Sequence, residues 1–91
     1  MTLESVVVAS SGQVSCDLGG EAAILNLDTG IYYGLDPVGA RIWSLIETPR
    51  SVAAIRDAIL QEFDVESERC EKDIFALLEK LLAEGLITVG S

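Results

Sequence analysis

Glu21 to Asp36 reads EAAILNLDTGIYYGLD: two short apolar runs, Ala22 to Leu27 and Ile31 to Leu35, joined by Asp28-Thr29-Gly30. Both runs are rich in the aliphatic, β-branched and aromatic residues that suit a pleated, half-buried surface. Gly30 takes φ > 0 without steric cost, as a three-residue hairpin loop built on a type I turn with a bulge requires. The stretch predicts a β-hairpin. Directly after it, Asp36-Pro37 offers a helix N-cap followed by a proline at the first helical position, and the chain beyond reads helical. The second strand therefore ends where the helices begin, with no further strand in sequence to cover its outer side. An unpaired strand edge is either blunted or used.

Upstream of the hairpin, Val14 to Leu18 (VSCDL) alternates apolar and polar residues until Gly19-Gly20 breaks it. Paired with Ala22 to Leu27, it completes a three-stranded antiparallel meander over about 14–18, 22–27 and 31–35. Ser5 to Ala9 (SVVVA), followed by the turn cluster Ser10-Ser11-Gly12, either adds a strand or covers an edge. Downstream, Val38, Ile42, Leu45 and Ile46 recur at helical spacing beside Trp43, and Thr48-Pro49 ends a helix over 37–47, because a residue before proline avoids the α region. Ser51 caps a second helix over 51–63, with Val52, Ile55, Ile59, Leu60 and Phe63 as its stripe. Ser67 starts a third over 67–84, whose first turns hold Glu68, Glu71 and Asp73 near the positive end of the dipole. Gly85 is its expected C-cap, and Leu86 to Val89 leaves as an extended tail.

On the third helix, at about 100° per residue, Leu77, Cys70, Leu81, Ile74, Leu78, Leu82 and Phe75 cover an arc of about 160°. A stripe that wide is either buried against two neighbours, the first helix and the sheet, or divided between core and the wall of a groove beside the strand edge.

Ninety-one residues predict one domain, residues 1–91, too small for a deep enclosed active site. A hydrophobic fraction of 49% and a mean hydropathy of +0.40 argue against disorder, and no apolar run approaches a membrane span. Met1 to Ser5 carries no Lys or Arg and Val6 to Ala9 is too short for a signal peptide, so a cytoplasmic protein is expected. Fifteen acidic against six basic side chains give a net charge of −9, and Arg41, Arg50, Arg56, Arg69, Lys72 and Lys80 are dispersed. That balance repels phosphate backbones, so nucleic acid is not an expected partner. With no histidine and no CxxC, zinc ligation and Cys-His or Ser-His nucleophile pairs lack their parts, and no cofactor is expected. Cys16 and Cys70 read as small buried filler, a disulfide being the alternative that a cytoplasmic location disfavours. Asp57 with Glu62, and Glu66 with Glu68, read as solvated helix faces. No catalytic constellation emerges.

Three strands followed by three helices make an α+β, winged-helix-like arrangement. Gly19 to Glu47 (GGEAAILNLDTGIYYGLDPVGARIWSLIE), the helix start Ser51 to Ile55, Cys70 to Leu81 (CEKDIFALLEKL) and Glu84-Gly85-Leu86-Ile87 together resemble the PqqD-like family, and more narrowly its small stand-alone members of lasso-peptide biosynthesis. The match runs from about Ser15 to Val89. The resemblance implies a non-catalytic module, a recognition element that holds the leader segment of a ribosomally made precursor while separate enzymes, a maturation protease and a cyclase, cut or close the core segment. It also implies that the leader lies as an added strand along Ile31 to Leu35, in the groove that strand forms with the third helix.

Candidate binding residues on the strand are Ile31, Tyr32, Tyr33, Gly34 and Leu35, with Ile31, Tyr33 and Leu35 expected toward the helical layer as core, groove or both. On the third helix they are Cys70, Asp73, Ile74, Leu77 and Leu81. Asp73 matches an acidic position of the family pattern, suited to a basic leader residue, and equally fits an ordinary first-turn carboxylate. A nucleic-acid-binding winged helix is the alternative that the fold permits and the charge opposes.

Overall fold

A computed structural model of the chain describes residues 1–11 and 13–90; Gly12, part of the expected turn cluster, lies outside the described residues, as does Ser91. The elements are β1 Val6–Ala9, β2 Gln13–Asp17, β3 Ala22–Asn26, β4 Tyr32–Leu35, α1 Pro37–Leu45, β5 Arg50–Ser51, α2 Val52–Glu62, α3 Ser67–Ala83 and β6 Ile87–Gly90. The meander is present as the antiparallel sheet β2-β3-β4, and three helices follow it.

The expected single sheet is corrected by a second one. β1 lies between β5 and β6, so the residues read as an extended tail pair with the first strand, Val7 opposite Val89 and Ala9 opposite Ile87. Val7 and Ile87 are buried, and that face closes the far side of the helical layer.

The hairpin forms at the expected place, but its loop has four residues, Leu27 to Gly30, rather than the expected three, because Asn26 and not Leu27 closes it against Ile31. Gly30 has φ 71°, and its N–H donates to the Asn26 carbonyl at 2.8 Å while the Asn26 N–H donates to the Ile31 carbonyl at 3.0 Å. The Asn26 side chain does more than fill space. Its Oδ1 accepts from the N–H groups of Asp28 and Thr29 at 2.9 and 3.3 Å, and its Nδ2 donates to the Glu84 carbonyl at 3.1 Å. A buried amide thus shapes the loop and ties it to the end of α3, with its polar atoms paired as burial demands.

The caps follow the same local rules. Asp36 accepts from the Gly39 N–H at 2.8 Å ahead of Pro37, and Ser51 accepts from the Ala54 N–H at 3.1 Å. Gly85, at φ 74°, ends α3, and the Leu86 N–H returns to the Leu81 carbonyl at 2.9 Å. Glu66, the residue before α3, makes no side-chain cap.

The core lies between the sheets and around the helices, with Ile24, Ile46, Ile55, Ile59 and Leu78 fully buried. On α3 the buried set is Cys70, Ile74, Leu78 and Leu81, an arc of about 80° at helical spacing, half of what the apolar stripe covers. Leu82 is 43% exposed. Cys16 also departs from expectation: it is exposed, because no layer covers the outer face of β2. Both thiols are free. Among the described residues no helix is long and apolar enough to cross a membrane.

Leu78 and Leu82 share a helix but not an environment, so they separate packing from propensity. Urea denaturation should show Leu78→Ala less stable by about 3 kcal/mol, from lost transfer energy and the cavity left behind. Leu82→Ala should change stability by no more than about 0.5 kcal/mol.

Candidate functional site

Ile24 is fully buried beneath the helices, and the register sets it opposite Tyr33, with Ala22 opposite Leu35. Tyr33 and Leu35 therefore face the helical layer, while Tyr32 and Gly34 face the other way. Side-chain parity and hydrogen-bond parity run together along an antiparallel strand. Since the Asn26 N–H meets the Ile31 carbonyl, the hydrogen-bonded pairs with β3 are those of Tyr33 and Leu35. The main-chain N–H and C=O groups of Tyr32 and Gly34 point outward, and among the described residues no strand pairs with that side of β4.

Beside this open edge runs a groove of about 310 Å³ between the end of β4, the start of α1 and the N-terminal half of α3. Its floor is apolar, formed by Leu35, Ile42, Ile59 and Ile74, with Val38, Val65 and Leu77 along its walls. Asp36, Arg69 and Asp73 supply the polar rim, where Arg69 Nε lies 3.7 Å from Asp73 Oδ2 in an exposed pair. Such a pair is weakly held and open to exchange with another charge. Cys70 lies in the wall, and its thiol is pushed above its ordinary pKa, first by burial and then by the carboxylates of Asp73 and Glu71. A raised thiol pKa makes it packing material rather than a nucleophile.

Of the candidates from the sequence, the groove brings together Gly34, Leu35, Cys70, Asp73, Ile74 and Leu77. Leu81 is 1% exposed and belongs to the core below it. Ile31 precedes β4 and is half exposed rather than covered by the helices, and Tyr32 is 69% exposed on the opposite face of the sheet. Tyr33 faces the helices but reaches the far end of α3, where its hydroxyl donates to Glu84 Oε2 at 2.6 Å. With Asn26, it clamps the hairpin to the C-terminus of that helix.

Asp36, Val38, Gly39, Ile42, Ile59, Val65 and Arg69 also line the groove and were not singled out from sequence. One of them left a signal. Gly39 stands in an early helical turn, where glycine is unfavourable. A Cβ there would sit 3.3 Å from Asp36 Oδ1 and 3.4 Å from the Leu35 side chain, so the glycine permits β4 and α1 to approach closely at the groove's end. Among the described residues no group of three His, Cys, Asp or Glu is placed to hold a metal ion.

Three comparisons bear on this geometry. The family model described as coenzyme PQQ synthesis protein D (PqqD) matches residues 21–87. Among solved structures, the chain is similar to TbiB1 in complex with the TbiA(beta) leader peptide, at 39% identity over 88% of this chain and 93% of that one, with a TM-score of 0.80. It shares its fold with a lasso peptide synthetase B1 complexed with the leader peptide, at 22% identity over 90% of this chain and 96% of that one, with a TM-score of 0.77. No curated protein sequence matches it.

The clamp has a pH signature. The hydrogen bond to Glu84, with smaller contributions from burial and the charge of that carboxylate, raises the Tyr33 phenol above its ordinary pKa of 10.0. A raised folded-state pKa stabilises the fold below the ordinary value, and the contribution is lost as pH rises through the raised one. Spectrophotometric titration should find Tyr33 ionising at lower pH in Glu84→Gln than in the parent. The parent's stability advantage from the raised phenol pKa should fade as pH rises through that alkaline window.

Proposed function

The chain belongs to the PqqD family, and on that premise we propose that it binds the leader segment of a ribosomally made precursor, of the lasso-peptide kind, and presents it to the enzyme that processes it. One observation carries the reading: the outward main-chain groups of Tyr32 and Gly34 form an open strand edge that leads, at Gly34 and Leu35, into an apolar groove. A peptide strand laid antiparallel or parallel to β4 pairs with those groups, and its alternate side chains fall into the groove. Main-chain bonds of this kind accept any extended segment. Selection comes from the apolar floor and from Asp36 and Asp73, which suit a basic side chain beside an apolar anchor. The 39% identical TbiB1 structure is a complex with a leader peptide, which supports the same reading here.

Presentation is supported by the other face of the sheet. Val14, Leu25 and Tyr32 form one cross-strand row there, and Val14 and Tyr32 are 53% and 69% exposed. No charged residue of β2, β3 or β4 lies on that face, since their only charged side chain, that of Asp17, is on the helical side. A leader strand on β4 widens it by one strand, giving a maturation protease or cyclase a surface that differs between the loaded and empty states. The chain contributes no chemistry of its own, needs no cofactor, and works as a single recognition domain in the cytoplasm. A nucleic-acid-binding reading of the fold is opposed by the net charge of −9 and by the carboxylates on the groove rim.

Titration with the synthetic TbiA(beta) leader, the ligand of the 39% identical TbiB1, should give a sub-micromolar to micromolar dissociation constant. Tyr32→Pro removes an outward donor and leaves the ladder with β3 intact, so affinity should fall about tenfold or more with the circular dichroism unchanged. Tyr33→Pro removes an inward donor and should cost the fold itself. Parent-like affinity in folded Tyr32→Pro would show that the leader docks elsewhere.

A further inference from the structure

The sheet β2-β3-β4 has a second open edge, and it too stands over a cleft. Ala23 and Leu25 of β3 bond to Cys16 and Val14 of β2, because Ile24 is spent on Tyr33. The main-chain groups of Gln13, Ser15 and Asp17 therefore point outward, and among the described residues no strand pairs with that side of β2. Ser15 and Asp17 share the sheet face of Ile24 and Ala22, yet both are exposed. The reason is that α1 stops short of β2 and leaves a cleft of about 300 Å³ between them. Ala22, Ala40 and Trp43 floor it.

We propose that this edge is a second strand-addition site, and that it takes a basic extended segment of the enzyme that processes the precursor. The claim rests on the reading in which β4 holds the leader. Two features select the occupant. Asp17, Glu21 and Glu47 stand around the cleft, and none has an ion-pair partner among the described residues, whereas Arg41, the one cation there, is committed to Glu62 at 2.8 Å. A segment carrying Lys or Arg on alternate positions would set its main chain on β2 and its cations among those carboxylates. Second, β2 contributes Val14 and Cys16 to the outer face that a docking enzyme would cover, so the cleft continues that surface. A second copy of the chain would bring like charge to like charge, and the leader would have to cross about 10 Å of sheet and turn back to reach this edge.

The test uses the full chain, labelled with ¹⁵N and saturated with leader, whose own binding is measured first. The probe is a ten-residue synthetic peptide of alternating lysine and threonine or valine. The amides of Gln13, Ser15 and Asp17 should shift and exchange more slowly, with Tyr32 and Gly34 unaffected. Ser15→Pro alters an outward amide without changing charge and should weaken probe binding at least tenfold; so should N-methylation of the probe at alternate amides, which leaves the protein untouched. Processing of a lasso precursor by a maturation protease that depends on this chain should slow about tenfold in Ser15→Pro at unchanged leader affinity.

The proposal fails if shifts scatter over the acidic helices and survive both changes, if the probe displaces the leader, if the probe does not bind, or if processing is unaltered. Failure of the leader to bind in the first step would instead remove the function proposed above, and the probe titration on the leader-free chain would still decide whether β2 accepts a strand.

Discussion

Burial of Ile24 under the helical layer fixes the parity of the whole β2-β3-β4 sheet. Slipping β4 by one residue would place Tyr32 and Gly34 beneath the helices and expose Tyr33 and Leu35, losing both the Glu84 clamp and an apolar contact to the core. The same parity decides which main-chain groups are spent inside the sheet and which remain outside. Core packing and the open edge are thus one constraint seen from two sides. A site of this kind needs no strained residue and no buried charge; the fold supplies it by ending the sheet at β4.

The edge alone would be unselective, and the groove makes the difference. Its floor comes from β4 and three helices and its rim from the α1 cap and the first turns of α3, so its shape depends on how the helices pack against the hairpin. The Asn26 and Tyr33 bonds to Glu84 fix one end of that arrangement, and the close approach at Gly39 fixes the other. Between those two pins β3 is the one strand paired with β4 among the described residues, which leaves its outer side for another chain.

Elements with local signals were legible in the sequence. Gly30, Asp36-Pro37, Ser51 and Gly85 each specify a backbone conformation within a few residues, and each lies where those rules place it; the loop around Gly30 is one residue longer than expected, because the Asn26 side chain holds its turn from within. The second sheet left no such trace, because it joins Val6 to Gly90 and Val7 to Arg50, pairings between the ends and the middle of the chain, and β5 is only two residues long. Cys16 and Leu81 were misjudged for a related reason. Periodicity shows that a strand or helix has an apolar side, but only the neighbours decide which part of that side is core, which is groove and which is open to water. Thus Cys70 and Ile74 serve both core and groove, Leu81 serves the core alone, and Cys16 faces solvent.

Two open edges on one sheet are a liability in so small a protein, since each is a template for pairing with another copy. Short strands reduce the risk: β2 has five residues and β4 four. Charge does the rest. Asp17 sits at the end of β2, Asp36 just past β4, and the whole chain carries −9, so copies approaching edge to edge repel one another before their main chains meet. The acidity that sets this chain against nucleic acid then also opposes pairing of its edges with another copy, and an edge without a strand partner is what a peptide ligand requires. Because exposed charges are screened over about 8 Å at physiological ionic strength, the protection acts at close range, where only a partner of opposite or no charge completes the contact.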